Sequence, residues 1–194
     1  LKNGDTFITQ VNGAGGPFTK TVVANQATLT LTGGSYAAGA GGETVTIRRA
    51  VLPGVTQTDT YDLSTATNKA DYIAILNSKP GMKAESSGSD IVLTIDLAGS
   101  ASAGNVTAIS GASVTTKLGA VVAAFTLAGG SNVATQDQVT AAEAAAMCAT
   151  AGSVFSTANG GRQLVWVTGT PGAAGSVQFT GGTAIAKIAG LDTR

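Results

Sequence analysis

Histidine is absent from the 194 residues. That absence excludes His-based catalytic triads, His-ligated zinc and the usual proton shuttle near neutral pH. Cysteine occurs once, at Cys148, so no disulfide can close within the chain. Charge is scarce as well: 11 Lys and Arg cancel 11 Asp and Glu, and together they make up 11% of the chain, far below the roughly 25% usual in soluble domains. A neutral, sparsely charged chain has little long-range attraction for nucleic acid or an anionic membrane. Aromatic residues are only 5%. No apolar run reaches the roughly 18 residues that would mark a transmembrane helix, and the longest, 121–125, is of strand length. The start, Leu1-Lys2-Asn3-Gly4-Asp5, lacks an initiator Met and an apolar leader core, and reads as a processed or incompletely known N-terminus.

Small residues take the place of what is missing: 34 Ala, 28 Thr and 27 Gly. Hydrophobic residues make up 43%, but much of that is Ala, so a thin core is expected. Zero net charge with a mean hydropathy of +0.26 argues against a solvated coil and for ordered β structure. Such compositions suit surface proteins and virion shells, in which neighbouring copies bury what a thin core cannot. The length allows one domain or two small ones.

Alternating or β-branched runs at 5–11, 18–23 and 27–32 read as strands separated by turns. Leu29 and Leu31 share one face and Thr28, Thr30 and Thr32 the other, the mark of a half-exposed sheet. Residues 33–42, rich in Gly around Tyr36, read as a loop or linker. Strands follow at 44–47 and 55–63. A helix is expected over 66–77, with an apolar stripe of Ala66, Ala70, Ile73 and Leu76, stopped by Lys79-Pro80-Gly81. Residues 82–85 and 90–97 form a hairpin around Ser86-Ser87-Gly88-Ser89, with Ile91, Leu93 and Ile95 on its apolar face. Strand-like material at 105–109 and 121–127 completes the middle of the chain.

A second helix is expected over 136–151, capped by Thr135, ended by Gly152 and buried along Val139, Ala142, Ala146 and Ala149. Strands at 164–167, 177–180 and 183–188 close the chain. The string Leu29 to Ser35 echoes Phe125 to Ser131 after 96 residues, a weak internal repeat, and Phe179 to Thr183 echoes both more faintly.

Reactive constellations are sparse. Cys148 sits in the Ala-rich helix with no base to activate it and reads as an inert thiol. The chain has no Gly-x-Ser-x-Gly elbow, Ser-x-x-Lys motif, dinucleotide fingerprint, phosphate loop or calcium loop. Asp59 and Asp62 lie three apart on a strand, Asp90 and Asp96 about 20 Å apart on another, and all four read as solvated carboxylates. Arg48-Arg49 is the densest basic cluster and reads as a source of salt bridges or inter-subunit contacts. Tyr36, Tyr61, Tyr72 and Trp166 are scattered, not arrayed for stacking, and Trp166 follows the parity of a core position. Asn105-Val106-Thr107 is one chance match to a glycosylation sequon. No catalytic, cofactor or metal site is assigned.

The middle of the chain carries an ordered series: Gly42-Glu43-Thr44-Val45-Thr46-Ile47, a helix, Met82-Lys83-Ala84-Glu85, Gly88, Ile91-Val92-Leu93-Thr94, Ala103-Gly104-Asn105, and Phe125 to Ser131. This series resembles a module of Thr/Ala/Gly-rich structural proteins of tailed-bacteriophage virions, capsid decoration and head proteins or tail proteins. The chain departs from the pattern at Arg48-Arg49 and at Asp96-Leu97. The resemblance implies assembly rather than catalysis: a virion component whose partners are copies of itself and other virion structural proteins, with no direct nucleic acid, no membrane, no small-molecule substrate and no cofactor. The alternatives are a tail protein or a bacterial cell-surface or filament module that binds a receptor or glycan.

The expected fold is α+β, mainly β, with small antiparallel sheets or sandwich-like units and two helices packed on them. The segments are 1–40, an N-terminal β segment and linker; 41–131, a β-β-α-β-β module; and 132–194, a helix with a C-terminal β segment. The alternative is that the three run as one continuous domain.

Overall fold

A computed structural model describes residues 1–11, 18–104, 107–109, 112–119, 123–135, 139–148, 153–158, 163–168, 176–184 and 187. In chain order the elements are β1 (Thr6–Val11), β2 (Phe18–Thr21), β3 (Gln26–Leu31), β4 (Thr44–Leu52), β5 (Val55–Asp62), α1 (Lys69–Leu76), β6 (Met82–Ser87) and β7 (Asp90–Ala98). A short 3-10 turn (Ser100–Ser102) follows, then β8 (Thr107–Ile109), α2 (Ala112–Leu118), α3 (Ala141–Cys148), β9 (Ser153–Ala158), β10 (Gln163–Thr168) and β11 (Val177–Gly181). Strand outweighs helix and every sheet is antiparallel, so the protein is α+β and mainly β. The chain forms two compact units, Asn25–Thr135 and a second made from Leu1–Ala24 with Gln136–Arg194. These bounds differ from the sequence divisions at 40/41 and 131/132, because β3 pairs with β7 and so belongs to the middle unit.

The unit Asn25–Thr135 contains two three-stranded sheets, ordered β3-β7-β6 and β5-β4-β8. Period-2 alternation builds both. Ala27, Leu29 and Leu31 of β3 and Ile91, Leu93 and Ile95 of β7 are buried, while Thr30 and Asp96 are exposed. Val45 and Ile47 of β4 join the same core, together with Tyr72 and Leu76 of α1, Val114 and Leu118 of α2, and Phe125. Each fully buried Leu or Ile here contributes about 1.5–3 kcal/mol of apolar transfer free energy. The hairpin around residues 86–89 forms as expected.

The helices differ from the sequence reading in three ways. α1 is capped by Asn68, whose side chain accepts from the Ala70 and Asp71 N–H groups, and it buries Tyr72 and Leu76 rather than Ala70 and Ile73. The pair four apart with the larger combined surface wins the core. α2 was not expected: its β-branched sequence is a poor helix former, but Val114 and Leu118, also four apart, are 2% and 0% exposed. α3 begins at Ala141, not near Thr135, because Thr140 and Glu143 form a reciprocal capping box. Its buried residues include Ala144 and Ala145, whereas Ala142 and Ala146 are exposed. Residues 136–138 and 149–151 of the expected helix lie outside the described residues.

Residues 33–42 are a packed strap rather than a linker. The Ser35 and Tyr36 N–H groups donate to the Thr116 and Lys117 carbonyls, and Gly39 donates to Ala66 at 2.7 Å. A Cβ at Gly39 would run into the Leu63 backbone, so only glycine permits this approach. Tyr36 itself has φ +50 and is held by its ring contact with Tyr72, 6.2 Å between centroids, and by donation from its hydroxyl to the Ser89 carbonyl. The tyrosines read as scattered therefore include one contacting pair. The expected strand at 121–127 is reduced, among described residues, to isolated bridge positions at Ala124 and Thr126, the latter antiparallel to Thr28, with Phe125 buried between them. The two echoing strings thus belong to one unit and run in opposite directions from this bridge, instead of closing successive units.

In the other unit, β1 pairs with β2 and β11, and β9 pairs with β10, placing Trp166 opposite Phe155 in register. β9 was missed in the sequence. Phe7, Val22, Phe179 and Ala184 are buried in this unit. Asp5 accepts from Lys187 at 2.6 and 2.7 Å, which, with the Lys2 N–H, holds its carboxyl at about 2. Thr183 and Ala184 lie in a turn, so the expected strand at 183–188 does not form there; 185, 186 and 188 lie outside the described residues. Cys148 is the last residue of α3.

Candidate functional site: two threonine faces and an arginine pocket

The outer surfaces of the two sheets in Asn25–Thr135 follow from the same alternation that builds the core. On one, β3 and β7 place Thr28 opposite Thr94 and Thr30 opposite Val92. On the other, β4 and β5 place Thr46 opposite Thr60, Arg48 opposite Thr58 and Ala50 opposite Thr56. The Thr46 and Thr60 hydroxyls are 3.2 Å apart, and Arg48 Nε donates to Thr56 Oγ1 at 3.1 Å. Thr30, Thr56, Thr58 and Thr60 are exposed. The short β-branched threonines give each face hydroxyls with little conformational freedom to lose, beside longer charged side chains: exposed Arg48 on the β4–β5 face, and the paired Lys83 and Glu85 of β6, opposite Thr94 and Val92, on the other.

Arg49, on the inward parity of β4, is the opposite case. It is 3% exposed, and its Nη2 donates to Asp59 Oδ2 at 3.1 Å and to the Pro80 carbonyl at 2.7 Å. Asp59 is 6% exposed, not solvated as its sequence suggested, and also accepts from Gln57 at 3.0 Å; Lys79 stands 3.9 Å away. The salt bridge expected of the Arg48-Arg49 pair is thus made by Arg49, within the chain and in mid-strand. Gly81, at φ +92, leaves room for the guanidinium: a Cβ there would lie 2.7 Å from Arg49 Cζ. Arg49 Nε is buried without a partner, as is the Tyr61 hydroxyl, which burial pushes above its usual range, with the Asp59 charge adding to the shift.

Beside this pair is a pocket of about 280 Å³ lined by Arg49, Ala50, Val51, Gly81, Asp96 and Leu97. Three of its six residues, Arg49, Asp96 and Leu97, are positions at which the sequence departs from the phage-module pattern. Sequence reasoning missed the pocket because it depends on β4 lying next to the end of β7, a long-range neighbourhood.

The remaining sequence candidates stay apart. Asp62 is exposed and its carboxyl is lowered by the Ser64 N–H it accepts; Asp90 and Asp96 are at opposite ends of β7. Glu43 takes two bonds from Lys117, at 2.7 and 2.9 Å, and one from the Ala40 N–H, and the Lys117 bonds above all hold it at about 2. Among the described residues no group of three His, Cys, Asp or Glu side chains is placed to hold a metal ion, and no helix is long and apolar enough to cross a membrane. Asn105 and Val106 of the sequon lie outside the described residues.

No family model, no curated protein and no solved structure matches the chain.

Proposed function

We propose that this chain is a non-enzymatic structural component of a bacteriophage virion, a capsid decoration or shell protein that assembles with copies of itself and with other virion proteins. The observation that carries the reading is the pair of threonine-bearing faces, Thr28, Thr30 and Thr94 on one sheet and Thr46, Thr56, Thr58 and Thr60 on the other, each backed by a buried inner face that is apolar except for the Arg49–Asp59 pair beneath the second. Such faces suit broad contact with a repeating lattice: they immobilise few side-chain torsions, their hydroxyls donate and accept across an interface, and they need no charge. The sequence resemblance over the middle of the chain points the same way. The test is negative-stain microscopy of the native source with gold-labelled antibody to this protein. Gold on icosahedral heads supports the reading, gold on tails moves the protein to the tail, and gold on thin cell-attached fibres overturns the virion assignment.

A further inference from the structure

The strands at the sheet edges of Asn25–Thr135 are not all finished in the same way. Beyond β6, the Asn77 side chain stands in for a neighbouring strand: the Ala84 N–H donates to its Oδ1 at 2.7 Å, and its Nδ2 donates to the Ala84 carbonyl at 2.9 Å. Beyond β3, Thr28 and Thr126 exchange backbone bonds at 2.8 and 2.9 Å, and the Thr32 N–H donates to the Gly119 carbonyl. An uncovered strand edge is a template for pairing with another chain, and both of these are covered.

The first half of β5 has no such cover. The Leu63 N–H donates to the Glu43 carbonyl in the β4–β5 register, so the odd-numbered residues of β5 aim their backbone groups at β4 and the even-numbered ones aim theirs away. Of the outward groups, the Thr60 carbonyl accepts from Lys79 at 2.8 Å, while among the described residues nothing bonds those of Thr56 and Thr58. Residues 55–58 are exposed at every position. Val55-Thr56-Gln57-Thr58 also lacks the usual guards of an edge, having no Pro and no charge.

We propose that this edge pairs with the same edge of a second copy, antiparallel about a two-fold axis at Gln57, joining the two β5-β4-β8 sheets into one. The register follows from which groups are open. Centred on Gln57, Thr56 of each copy opposes Thr58 of the other, and each such pair exchanges two backbone bonds, drawing only on groups left open. A centre at Thr58 needs the Thr60 carbonyl, which Lys79 already holds, and a centre at Thr56 runs Thr58 into the turn at Pro53-Gly54. The open stretch is thus bounded at both ends to a length that a two-fold pairing fills, and a longer foreign strand meets Lys79. Charge favours a like partner too: Val, Thr, Gln and Thr set no like charges opposite each other, and Asp59 beyond them is buried against Arg49. The contact is isologous and closes as a dimer. Thr56 and Thr58 share the outer parity with Thr60, so the β4–β5 threonine face of one copy continues into that of the other. The inference rests on the assembly reading in taking copies of this chain as partners, and it names the edge that joins them.

The test is sedimentation equilibrium of the purified full chain from micromolar to millimolar concentration, where wild type should dimerise. Thr58→Pro deletes an N–H that points away from β4, a place where an edge strand tolerates proline. It should weaken dimerisation about tenfold or more, with far-UV circular dichroism unchanged. Register is read by mild oxidation in a Cys148→Ser background. Gln57→Cys places the two thiols opposite each other, with Cβ atoms about 4.5–5.5 Å apart, and should give a disulfide-linked dimer on a non-reducing gel. Thr60→Cys, opposite Gly54 of the second copy, should not. A wild type that stays monomeric throughout, a folded Thr58→Pro variant that dimerises like wild type, cross-linking at 60 rather than 57, or an edge that captures only a different protein overturns the inference. Edge-dependent dimers of a protein found on no particle would support this contact and sink the virion assignment; gold-labelled particles whose protein dimerises independently of the edge would do the reverse.

Discussion

Replacing Arg49 with Met keeps much of the aliphatic length of a side chain that is 4% exposed and deletes the charge facing Asp59, itself 8% exposed by side chain. Removing one partner of a buried ion pair costs about 3–5 kcal/mol, because the remaining charge stays desolvated. Here two groups soften the loss, since Gln57 still donates to Asp59 at 3.0 Å and Lys79 is 3.9 Å away. The Pro80 carbonyl also loses its donor, at about 1 kcal/mol. The net expectation for Arg49→Met is about 3 kcal/mol. Adding Asp59→Leu removes the stranded charge and should recover about 2 kcal/mol of that loss, since apolar replacement of a whole buried pair is often close to neutral. Urea unfolding reads the effect in the right place, because Tyr36, Tyr61 and Tyr72 all lie in Asn25–Thr135 whereas Trp166 lies in the other unit. The tyrosine-monitored midpoint should fall in the single variant and partly recover in the double, at constant m value. A loss under about 1 kcal/mol, or a double variant no more stable than the single, would refute the reasoning that Asp59 depends on Arg49.

Three further outcomes are expected. Leu93→Ala, at a position 0% exposed between β3 and β6, should lower the stability of its unit by about 2–5 kcal/mol by the same urea assay. Glu43 is held at about 2 in the folded state against 4.5 ordinarily, so its stabilising contribution is complete above about pH 4.5 and is lost as the pH falls toward 2; Glu43→Gln should flatten the acid side of a Tm-against-pH curve in that window. Cys148→Ser should leave both assembly and thermal midpoint essentially unchanged, and loss of assembly with the fold intact would show that the thiol matters.

What was legible in the sequence was the period. Thr alternating with Leu, Ile or Val gave β3, β4 and β7 and their inward faces, because one-sided burial imposes a two-residue repeat. What was not legible depended on tertiary context. Val114 and Leu118 form a helix because the core takes them, against the preference of the β-branched Val114-Thr115-Thr116 stretch. Thr140-Ala141-Ala142-Glu143 did carry a start signal for α3, overlooked in favour of Thr135. The Arg49–Asp59 pair required the cross-strand register, Arg49 opposite Gln57, which no local pattern encodes. Tyr72 was passed over because all five residues of 72–76 are apolar, and only packing decides which two turn inward.

The central claim is that this protein is an assembly component held by contact surfaces of little net charge, and its most direct test is the number of copies per purified particle before and after a near-molar NaCl wash. With counterion release and long-range steering contributing little, the account predicts a fixed stoichiometry that the wash leaves unchanged within twofold. Absence from the particles, or steep loss of the protein as salt rises, would contradict it.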